Sequence, residues 1–397
     1  MLAAFRVRSY RFQWPADLLT SWAFEMETLI LGWYMLEETG SVTMLAVLGA
    51  LQYMGTFIAP LFGLAGDRMG RRTVLCTMRV TYFTLAIAMM AFGLTGVLTP
   101  YHVFGLVFLM GLVRPSDIVL RNSLIGDTMP RANLTNALGF SRATGDSAKI
   151  AGALAGAGLL STLGIGITYV FIAGFYLASF ALTFGVTKVR PDDGATDPGA
   201  SPWHDLLDGL AYAWKTPNVR MIMWMAFLVN LTAVPWTTGL AAYLAKEIFL
   251  LDANGLGRMI AGYACGALSG SLLLAWIGGS RRPALLMFVV AMTWYALLAV
   301  LAQVRDPETG AWVMVAIGAC HSGTMILMGV ALIGWAEPRF RGRVMGVRSL
   351  SVQGVPFGLL AAGPIIEMIG FSRTLEIYCA IGAVATVLLA IQNRRFL

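Results

Sequence analysis

The stretch Gly63-Leu64-Ala65-Gly66-Asp67-Arg68-Met69-Gly70-Arg71-Arg72 lies between two long apolar segments of the chain. It is a short charged turn with glycine at both ends, and glycine accepts the backbone conformations that a close reversal needs. Its three arginines are expected to stay on the cytoplasmic side of a membrane, where positively charged loops accumulate. The stretch therefore predicts two antiparallel transmembrane helices joined by a tight, positively charged loop.

The composition of the whole chain agrees with a protein embedded in a bilayer. Of its 397 residues, 58% are hydrophobic and 12% are charged, which is too little charge to cover a soluble protein of this size. The net charge of +7 does not indicate nucleic acid binding, because the basic residues form short clusters between apolar segments. No metal site, cofactor or enzymatic activity is expected, since the cysteines and histidines lack metal-ligand spacing and no catalytic motif stands out.

Apolar segments of about 20 residues predict an all-α membrane protein with twelve transmembrane helices. They lie near residues 15–36, 42–64, 73–95, 100–122, 133–160, 165–187, 218–245, 255–278, 283–304, 310–335, 343–369 and 374–392. We expect two pseudo-symmetric six-helix bundles, at residues 1–187 and 218–397. The cytoplasmic linker between them, residues 188–217, could contain an amphipathic surface helix at 204–214.

The basic residues also predict the orientation of the chain. The basic residues outside the predicted helices lie mostly in alternate loops, and only Lys246, Arg258, Arg305 and Arg373 face them, so both termini of this multi-pass protein are expected on the cytoplasmic side of the inner (plasma) membrane. The two halves resemble each other: Gly278-Gly279-Ser280-Arg281-Arg282 occupies the place of the first charged loop without its aspartate, and Pro338-Arg339 matches Pro130-Arg131. Such a repeat is typical of two bundles related by an axis along the membrane normal, with a binding site at their interface.

The charged loop resembles the signature loop of the major facilitator superfamily, because it matches the pattern G-x-x-x-D-R-x-G-R-R. The resemblance implies a transporter whose cytoplasmic end is gated by this loop. The residues that we assign to the gate are Gly63, Asp67, Arg68, Gly70, Arg71, Arg72 and, on the fourth predicted helix, Arg121. The alternative is a positively charged membrane anchor with no gating role.

Further stretches resemble the macrolide and siderophore (enterobactin-type) exporters of this superfamily. They are Gly32-Trp33, Thr39-Gly40-Ser41, Arg131-Ala132-Asn133-Leu134 and Arg341-Gly342-Arg343-Val344-Met345-Gly346. The resemblance implies proton-coupled efflux of an amphipathic small molecule by alternating access. The run Gly152 to Gly158 has alanine where antiporters of this type commonly have proline, so the direction of transport rests on resemblance alone. A carrier of organic anions or lipids on the same fold is the alternative.

Ionisable side chains inside the predicted helices are candidates for function, because each costs roughly 2.5–3.5 kcal/mol to insert. Two trios share a helix face each: Arg114, Asp117 and Arg121 on the fourth helix, and Arg142, Asp146 and Lys149 on the fifth. We assign Asp117 and Asp146 to proton coupling, and Arg114, Arg142 and Lys149 to substrate binding. The alternative is that the two faces neutralise each other in a purely structural network.

Glu25 and Glu27 lie in the first predicted helix and point to opposite sides of it, because they are two residues apart. Glu25 shares its face with the polar residues Ser21 and Thr28, so we assign it as the coupling carboxylate in the transport cavity. Glu27 is expected near helix contacts and is kept as a second candidate for proton coupling.

The second half offers few charges and many aromatic and methionine side chains, which make an adaptable apolar wall. Its candidate substrate-binding residues are Asn230, Trp236, His321 and Gln353. For each of them the alternative is core packing or, for His321, a simple hydrogen bond. The expected partners are a small-molecule substrate, protons and the lipid bilayer, with no nucleic acid, and the protein is expected to be a monomer.

Overall fold

The structure is a computed structural model that describes residues 2–188, 202–277, 282–337 and 340–396. Within these ranges the chain is helical almost throughout and contains no strand. Eight helices are long and apolar enough to cross a membrane, or nine if the bent pair Val42–Phe57 and Leu61–Met69 is one span. The predicted all-α membrane fold is therefore confirmed for the described residues, while the number of twelve spans stays a prediction.

The chain forms two compact units. Unit 1 contains residues 1–39 and 51–202, and unit 2 contains residues 40–50 and 203–397. Residues 40–50, which belong to the second predicted helix, pack within unit 2: the Ser41 hydroxyl donates a hydrogen bond to Glu367 Oε1 at 2.9 Å, and Gly363 lies against Thr43.

Up to the linker, the helices follow the predicted segments with two differences. They are α1 (Arg8–Thr39), α2 (Val42–Leu51), α3 (Ala59–Met69), α4 (Arg71–Thr95), α5 (Pro100–Thr128) and α6 (Arg131–Thr183). The second predicted helix is broken at a short 3₁₀ turn, Met54–Phe57. The fifth and sixth predicted helices run together as α6 and are joined at Gly164, whose φ of 74° lies in the left-handed region that glycine tolerates.

After the linker, two predicted helices are broken into shorter pieces. The helices are α7 (Pro202–Lys215), α8 (Pro217–Thr232), α9 (Val234–Thr237), α10 (Ala241–Tyr243), α11 (Ala253–Ile277), α12 (Pro283–Gln303), α13 (Pro307–Trp335), α14 (Arg341–Leu350), α15 (Gly354–Ile369) and α16 (Phe371–Gln392). The seventh predicted helix becomes α8, α9 and α10 followed by a π-turn at Leu244–Ile248. The eleventh becomes α14 and α15 around the 3₁₀ turn Ser351–Gln353.

Helix α7 is the surface helix that the linker sequence predicts, and it packs within unit 2. Asp208 forms an ion pair with Arg343 at 3.5 Å. The Tyr212 ring stacks on Phe340 with centroids 4.3 Å apart, and its hydroxyl accepts a hydrogen bond from the Glu337 N–H at 3.1 Å. These contacts hold α7 against the turn that leads into α14.

Close helix contacts at glycine pairs occur in both units. In unit 1, Gly152 and Gly156 of α6 lie against α1, and in unit 2, Gly354 and Gly358 of α15 lie against α8. A Cβ atom at Gly358 would overlap the carbonyl oxygen of Leu231. Small residues four apart let two helix backbones approach closely, so the same device joins one helix pair in each unit.

The glycine stripe of α11 packs within its own unit as well. It consists of Gly262, Gly266 and Gly270 and runs along α13. A Cβ atom at Gly266 would overlap the carbonyl oxygen of Val315. In unit 1, Gly111 of α5 has the same kind of contact with the carbonyl oxygen of Leu51. The stripes of α6 and α11 are thus accounted for by helix contacts inside their own units.

Three predicted features lie outside the described residues. They are most of the second-half counterpart of the charged loop, residues 278–281, the linker segment 189–201, and the dipeptide Pro338-Arg339.

Candidate functional site

Four charged side chains form a buried cluster in unit 1. They are Asp17 of α1, Arg79 of α4, and Asp117 and Arg121 of α5, and none exposes more than 6% of its surface. Arg79 forms an ion pair with Asp17, and Arg121 with Asp117. The Nε atom of Arg121 also lies 3.6 Å from the Asp17 carboxylate. The cluster contains two positive and two negative groups, and this pairing offsets much of the cost of burying them.

Hydrogen bonds connect the cluster to its surroundings. Arg79 donates to the Thr183 hydroxyl on α6, and Arg121 donates to the Ser21 hydroxyl on α1 at 2.9 Å. The Gln13 side chain donates to the carbonyl oxygen of Arg121 at 2.9 Å. Four helices, α1, α4, α5 and α6, are therefore linked through one polar network.

Asp17 and Arg79 are not among the site residues selected from the sequence. The signal for Arg79 was a single arginine in the apolar third turn of α4, since an ionisable group at such a position requires a partner. Asp17 lies two turns before Glu25 on the same face of α1. Because these two residues take part, Arg121 has a second carboxylate near it, that of Asp17, which the sequence trios did not include.

Glu27 is the most deeply buried glutamate of the described chain, with 2% of its surface exposed. The Tyr176 hydroxyl of α6 donates a hydrogen bond to its Oε2 atom at 2.5 Å. The Tyr176 ring packs in turn against Phe24 and Tyr82, with centroids 5.9 and 5.5 Å apart. No described cation forms an ion pair with Glu27. Its one hydrogen-bond partner among the described residues is the neutral Tyr176 hydroxyl, which lies in an aromatic environment.

Glu25 has a different environment although it is only two residues away. Its side chain is half-buried, and a Cβ atom at Gly152 of α6 would stand 2.8 Å from the Cβ of Glu25. Among the residues described, Glu25 forms neither a hydrogen bond nor an ion pair. Glu25 thus contacts α6 before Gly164, and Glu27 contacts it after Gly164.

The α6 trio does not pair with the α5 trio in the described part of the chain. Arg142 is exposed, while Asp146 and Lys149 are half-buried, and no hydrogen bond or ion pair joins any of them to another described residue. The structural network that was the alternative for these two trios is therefore not formed between them in the described residues. The physical reason is that Asp117 and Arg121 pair with each other within α5 and Arg121 also approaches Asp17 of α1 instead.

Arg114 is the α5 cation that lacks a carboxylate partner among the described residues. Its guanidinium donates to the Thr28 hydroxyl at 2.9 Å and to the Gln52 side-chain oxygen at 3.0 Å, and it lies over the Phe24 ring, 4.5 Å from the centroid. A cavity beside it, lined also by Leu31, has room for about one water molecule, at about 10 Å³. Arg114 thus keeps a positive charge among neutral polar groups.

The charged loop is bound to the ends of neighbouring helices in unit 1. Gly70, with a φ of 87°, separates Asp67 at the end of α3 from Arg71 at the start of α4. Arg71 forms ion pairs with Asp67 at 3.2 Å and with Asp127 at the end of α5. Arg72 donates to the carbonyl oxygen of Phe184, after α6, at 2.7 Å. The loop therefore links the ends of α3, α4, α5 and α6.

The other predicted gate residues contribute differently. Arg68 is exposed and contacts no described hydrogen-bond partner, and Gly63 lies in α3 with open space where a Cβ would stand. Asp127 was not selected from the sequence, although a carboxylate three residues before Pro130 lies at the expected cytoplasmic level of the arginines. Asp127 is the second carboxylate, besides Asp67, that forms an ion pair with Arg71.

In unit 2 the selected polar residues have neutral partners. His321 Nδ1 lies 2.5 Å from the Tyr263 hydroxyl, and its ring packs against Trp294 with centroids 4.9 Å apart. Trp236 exposes 1% of its surface, donates to the Thr232 carbonyl oxygen at 3.0 Å and is enclosed by other aromatic rings. Trp236 therefore fills the core of unit 2.

Asn230 and Gln353 are brought close together by the contact of α15 with α8. Asn230 is buried and donates to the Ala226 carbonyl oxygen at 2.8 Å. Gln353 is also buried and precedes Gly354, which lies against the backbone of Asn230. No aspartate, glutamate, lysine or arginine of unit 2 is buried in the part that the structure describes, and no group of three or more His, Cys, Asp or Glu side chains in the described ranges could hold a metal ion.

Comparison with known proteins agrees with this architecture. The family model described as Major Facilitator Superfamily matches residues 14–317. Comparison with curated proteins finds no match. Among solved structures, the nucleoside transporter NupG is 15% identical, with 98% of each chain covered and a TM-score of 0.75. The POT family transporter PepTSo is 12% identical, with 98% of each chain covered and a TM-score of 0.76. The human organic anion transporter MFSD10 is 14% identical, with 96% of this chain and 99% of that chain covered and a TM-score of 0.66.

Proposed function

The chain belongs to the Major Facilitator Superfamily, and we propose that it exports amphipathic small molecules in exchange for protons by alternating access. Membership of this family makes it a membrane transporter of small molecules and not an enzyme. The proposal for efflux is supported by the resemblance of Gly32-Trp33 and of Arg341 to Gly346 to macrolide and siderophore exporters. It includes a monomer in the plasma membrane with twelve spans in two six-helix bundles and both termini in the cytoplasm.

The proposal of proton coupling rests on one observation, the isolation of Glu25. Asp17 and Asp117 are neutralised by arginines, and Glu27 is bound by Tyr176. Glu25 is half-buried within α1 and has no partner among the described residues. An ionisable group inside the membrane without a structural partner is by default a functional-site hypothesis, and this one is partly exposed. Asp146 of α6 shares these properties and is the second candidate.

The proposed substrate-binding residues are charged in unit 1 and neutral in unit 2. Arg114, Arg142 and Lys149 are unit 1 cations without a described carboxylate partner, and His321 is a half-buried polar group of unit 2. Asn230 and Gln353 would contribute only if substrate binding uncovers them. Trp236 is left out of the proposed set, because neighbouring rings seal it in the core.

The coupling is tested in proteoliposomes by following a fluorescent amphipathic dye under an imposed pH difference. Glu25→Gln mimics the permanently protonated form, so we expect this variant to bind the dye and equilibrate it across the membrane without accumulating it. Glu27→Gln is the matched control with the same chemical change two residues away, and it is expected to keep accumulation.

Three results would contradict this assignment. If Glu25→Gln accumulates the dye and Glu27→Gln does not, the roles of the two glutamates are exchanged. If both accumulate it and Asp146→Asn does not, coupling belongs to α6. If all three accumulate it, the protein is not proton-driven through these carboxylates.

Carriage of an organic anion is the second candidate function, and it is favoured by the environment of Arg114. This guanidinium is held by Thr28 and Gln52 and makes no direct ion pair with a described carboxylate, so an anionic substrate would supply one. Arg114→Gln should then abolish binding of a fluorescent organic anion while leaving binding of a cationic dye unchanged. Equal loss of both ligands would speak against an anion site.

A further inference from the structure

An apolar groove lies between α7, α8 and α14 of unit 2. It has a volume of about 380 Å³, which is within the usual range of about 300–1,000 Å³ for small-molecule pockets. Leu210 and Trp214 of α7 form one side, Trp224 and Phe227 of α8 the other, and Leu350 the α14 end. The lining is almost entirely apolar, with one charged residue at its edge.

The two tryptophans of this groove are unusually exposed for their size. Trp214 exposes 59% and Trp224 46% of its surface, and their rings lie 6.2 Å apart. Tryptophans at the membrane surface are common as single anchors. A concave space between two of them, closed by Phe227 and Leu350, offers more than an anchor because it can enclose an apolar chain.

The charged residue at the edge of the groove is Arg220, in the first turn of α8. Its guanidinium donates to the carbonyl oxygen of Trp214 at 3.2 Å, which fixes it beside the tryptophans, and no described carboxylate pairs with it. Arg220 also lines a second, adjoining space of about 390 Å³ together with Gln392 and Asn393 at the end of α16. Arg394 and Arg395 follow directly in the sequence.

We propose that this groove binds one anionic phospholipid of the surrounding bilayer. Its acyl chain lies along Trp214, Trp224 and Phe227, and its phosphate is held by Arg220. The charge of the site complements an anionic headgroup, and basic residues at the membrane surface attract such lipids. A soluble anion would use Arg220 and leave the tryptophans uncovered, whereas a phospholipid satisfies both parts. The proposal does not depend on the substrate or the direction of transport.

The test is native mass spectrometry of the purified full chain, delipidated in detergent and titrated with phosphatidylglycerol or with phosphatidylcholine of the same acyl chains. We expect the first bound phosphatidylglycerol to be held about fivefold more tightly than phosphatidylcholine, which is the preference that one basic residue near the surface provides. Arg220→Gln should remove this preference, and Arg220→Lys should keep most of it. Trp224→Ala should weaken the binding of both lipids.

Arg373→Gln is the control, because Arg373 is an exposed arginine at the opposite end of α16 and its loss should change neither affinity. Equal binding of the two lipids by the unchanged protein would overturn the proposal, as would a preference that survives Arg220→Gln. If Arg220→Gln does not fold, the proposal is tested with Arg220→Lys and Trp224→Ala. Normal binding of both lipids by Trp224→Ala would then contradict the proposal. Displacement of phosphatidylglycerol by an equal concentration of glycerol phosphate would show that the site takes free anions, which also overturns the proposal.

Discussion

The two units use the same kind of helix contact around cores of different chemistry. Gly152 and Gly156 bring α6 onto α1 in unit 1, and Gly354 and Gly358 bring α15 onto α8 in unit 2, with the same spacing of four. Unit 1 nevertheless buries two arginines and two aspartates, whereas every buried polar side chain in the described part of unit 2 is neutral. The difference teaches that the same close backbone approach can accompany cores of quite different side-chain chemistry.

The two cores also differ in what a single substitution should do. A neutral cluster of four charges depends on every member, because removal of one leaves an uncompensated charge in the interior. Truncation in an aromatic core such as that around Trp236 instead leaves a cavity, which no change of charge elsewhere can compensate. Unit 1 is therefore the part in which a destabilising substitution should be rescued specifically by a second one.

Arg79→Met should produce the largest loss of stability, because it leaves Asp17 without its main counter-ion. We expect the free energy of unfolding to fall by about 3–5 kcal/mol, the range for breaking a buried ion pair. Thermal unfolding of the purified variant in detergent measures the change. Addition of Asp17→Asn should recover part of the loss, since the uncompensated charge is then gone.

Arg373→Met is the control for this experiment because Arg373 is exposed in unit 2, and it should change stability by less than about 0.5 kcal/mol. An Arg79→Met protein as stable as the unchanged chain, or strict additivity with Asp17→Asn, would contradict the difference drawn between the two cores.

A smaller effect is expected from Gly266→Ala in unit 2, where backbone approach and not charge is tested. The new Cβ would overlap the Val315 carbonyl oxygen, so α11 and α13 must separate at a cost of about 1–3 kcal/mol. Gly262→Ala, one turn earlier, places its Cβ at an ordinary 3.4 Å from Val315 Cγ2 and should be neutral or slightly stabilising. The two melting temperatures give the comparison directly, and equal values would show that the helices are not held as closely as described.

The smallest effect on stability is expected from Asp67→Asn, because its ion pair with Arg71 is partly exposed and such pairs contribute about 0–1 kcal/mol. Turnover should fall, since the charge is proposed to bias the gate between two states by about 1–3 kcal/mol. The initial rate of dye transport measures the change in turnover. The control is Glu37→Gln, because Glu37 is an exposed carboxylate at the C-terminal end of α1. Unchanged turnover would reduce the loop to a positively charged anchor.

Much of the fold could be predicted from the sequence, because apolar length and positive loops are local properties. The charged loop, the helix at 204–214 and the start of most helices follow from them. The start of α13 is an example: Asp306 accepts a hydrogen bond from the Thr309 N–H at 2.7 Å, which lowers the pKa of Asp306 and caps the helix. The breaks at Met54–Phe57 and Ser351–Gln353 were missed, although Pro60 and Pro356 follow them by three residues and a proline inside an apolar helical segment indicates a kink or a boundary.

The candidate site was less predictable because its partners are far apart in the sequence. Helical spacing correctly placed Asp117 and Arg121 on one face, and the two now share an ion pair. Spacing within one helix does not show which neighbouring helix that face contacts. The sequence therefore does not predict that Asp17 and Arg79 lie beside Asp117 and Arg121. Glu25 and Glu27 illustrate the same limit: their separation around α1 follows from geometry, but Tyr176 as the partner of Glu27 does not.

The balanced charge of the buried cluster has a consequence for the electrical behaviour of the transporter. Moving one elementary charge through a potential of 100 mV involves roughly 2.3 kcal/mol. Asp17, Arg79, Asp117 and Arg121 sum to zero, so the cluster adds no net gating charge however far unit 1 moves across the field. Any dependence of turnover on membrane voltage therefore reports groups outside the cluster, above all the proton on the coupling carboxylate and the charge of the substrate itself.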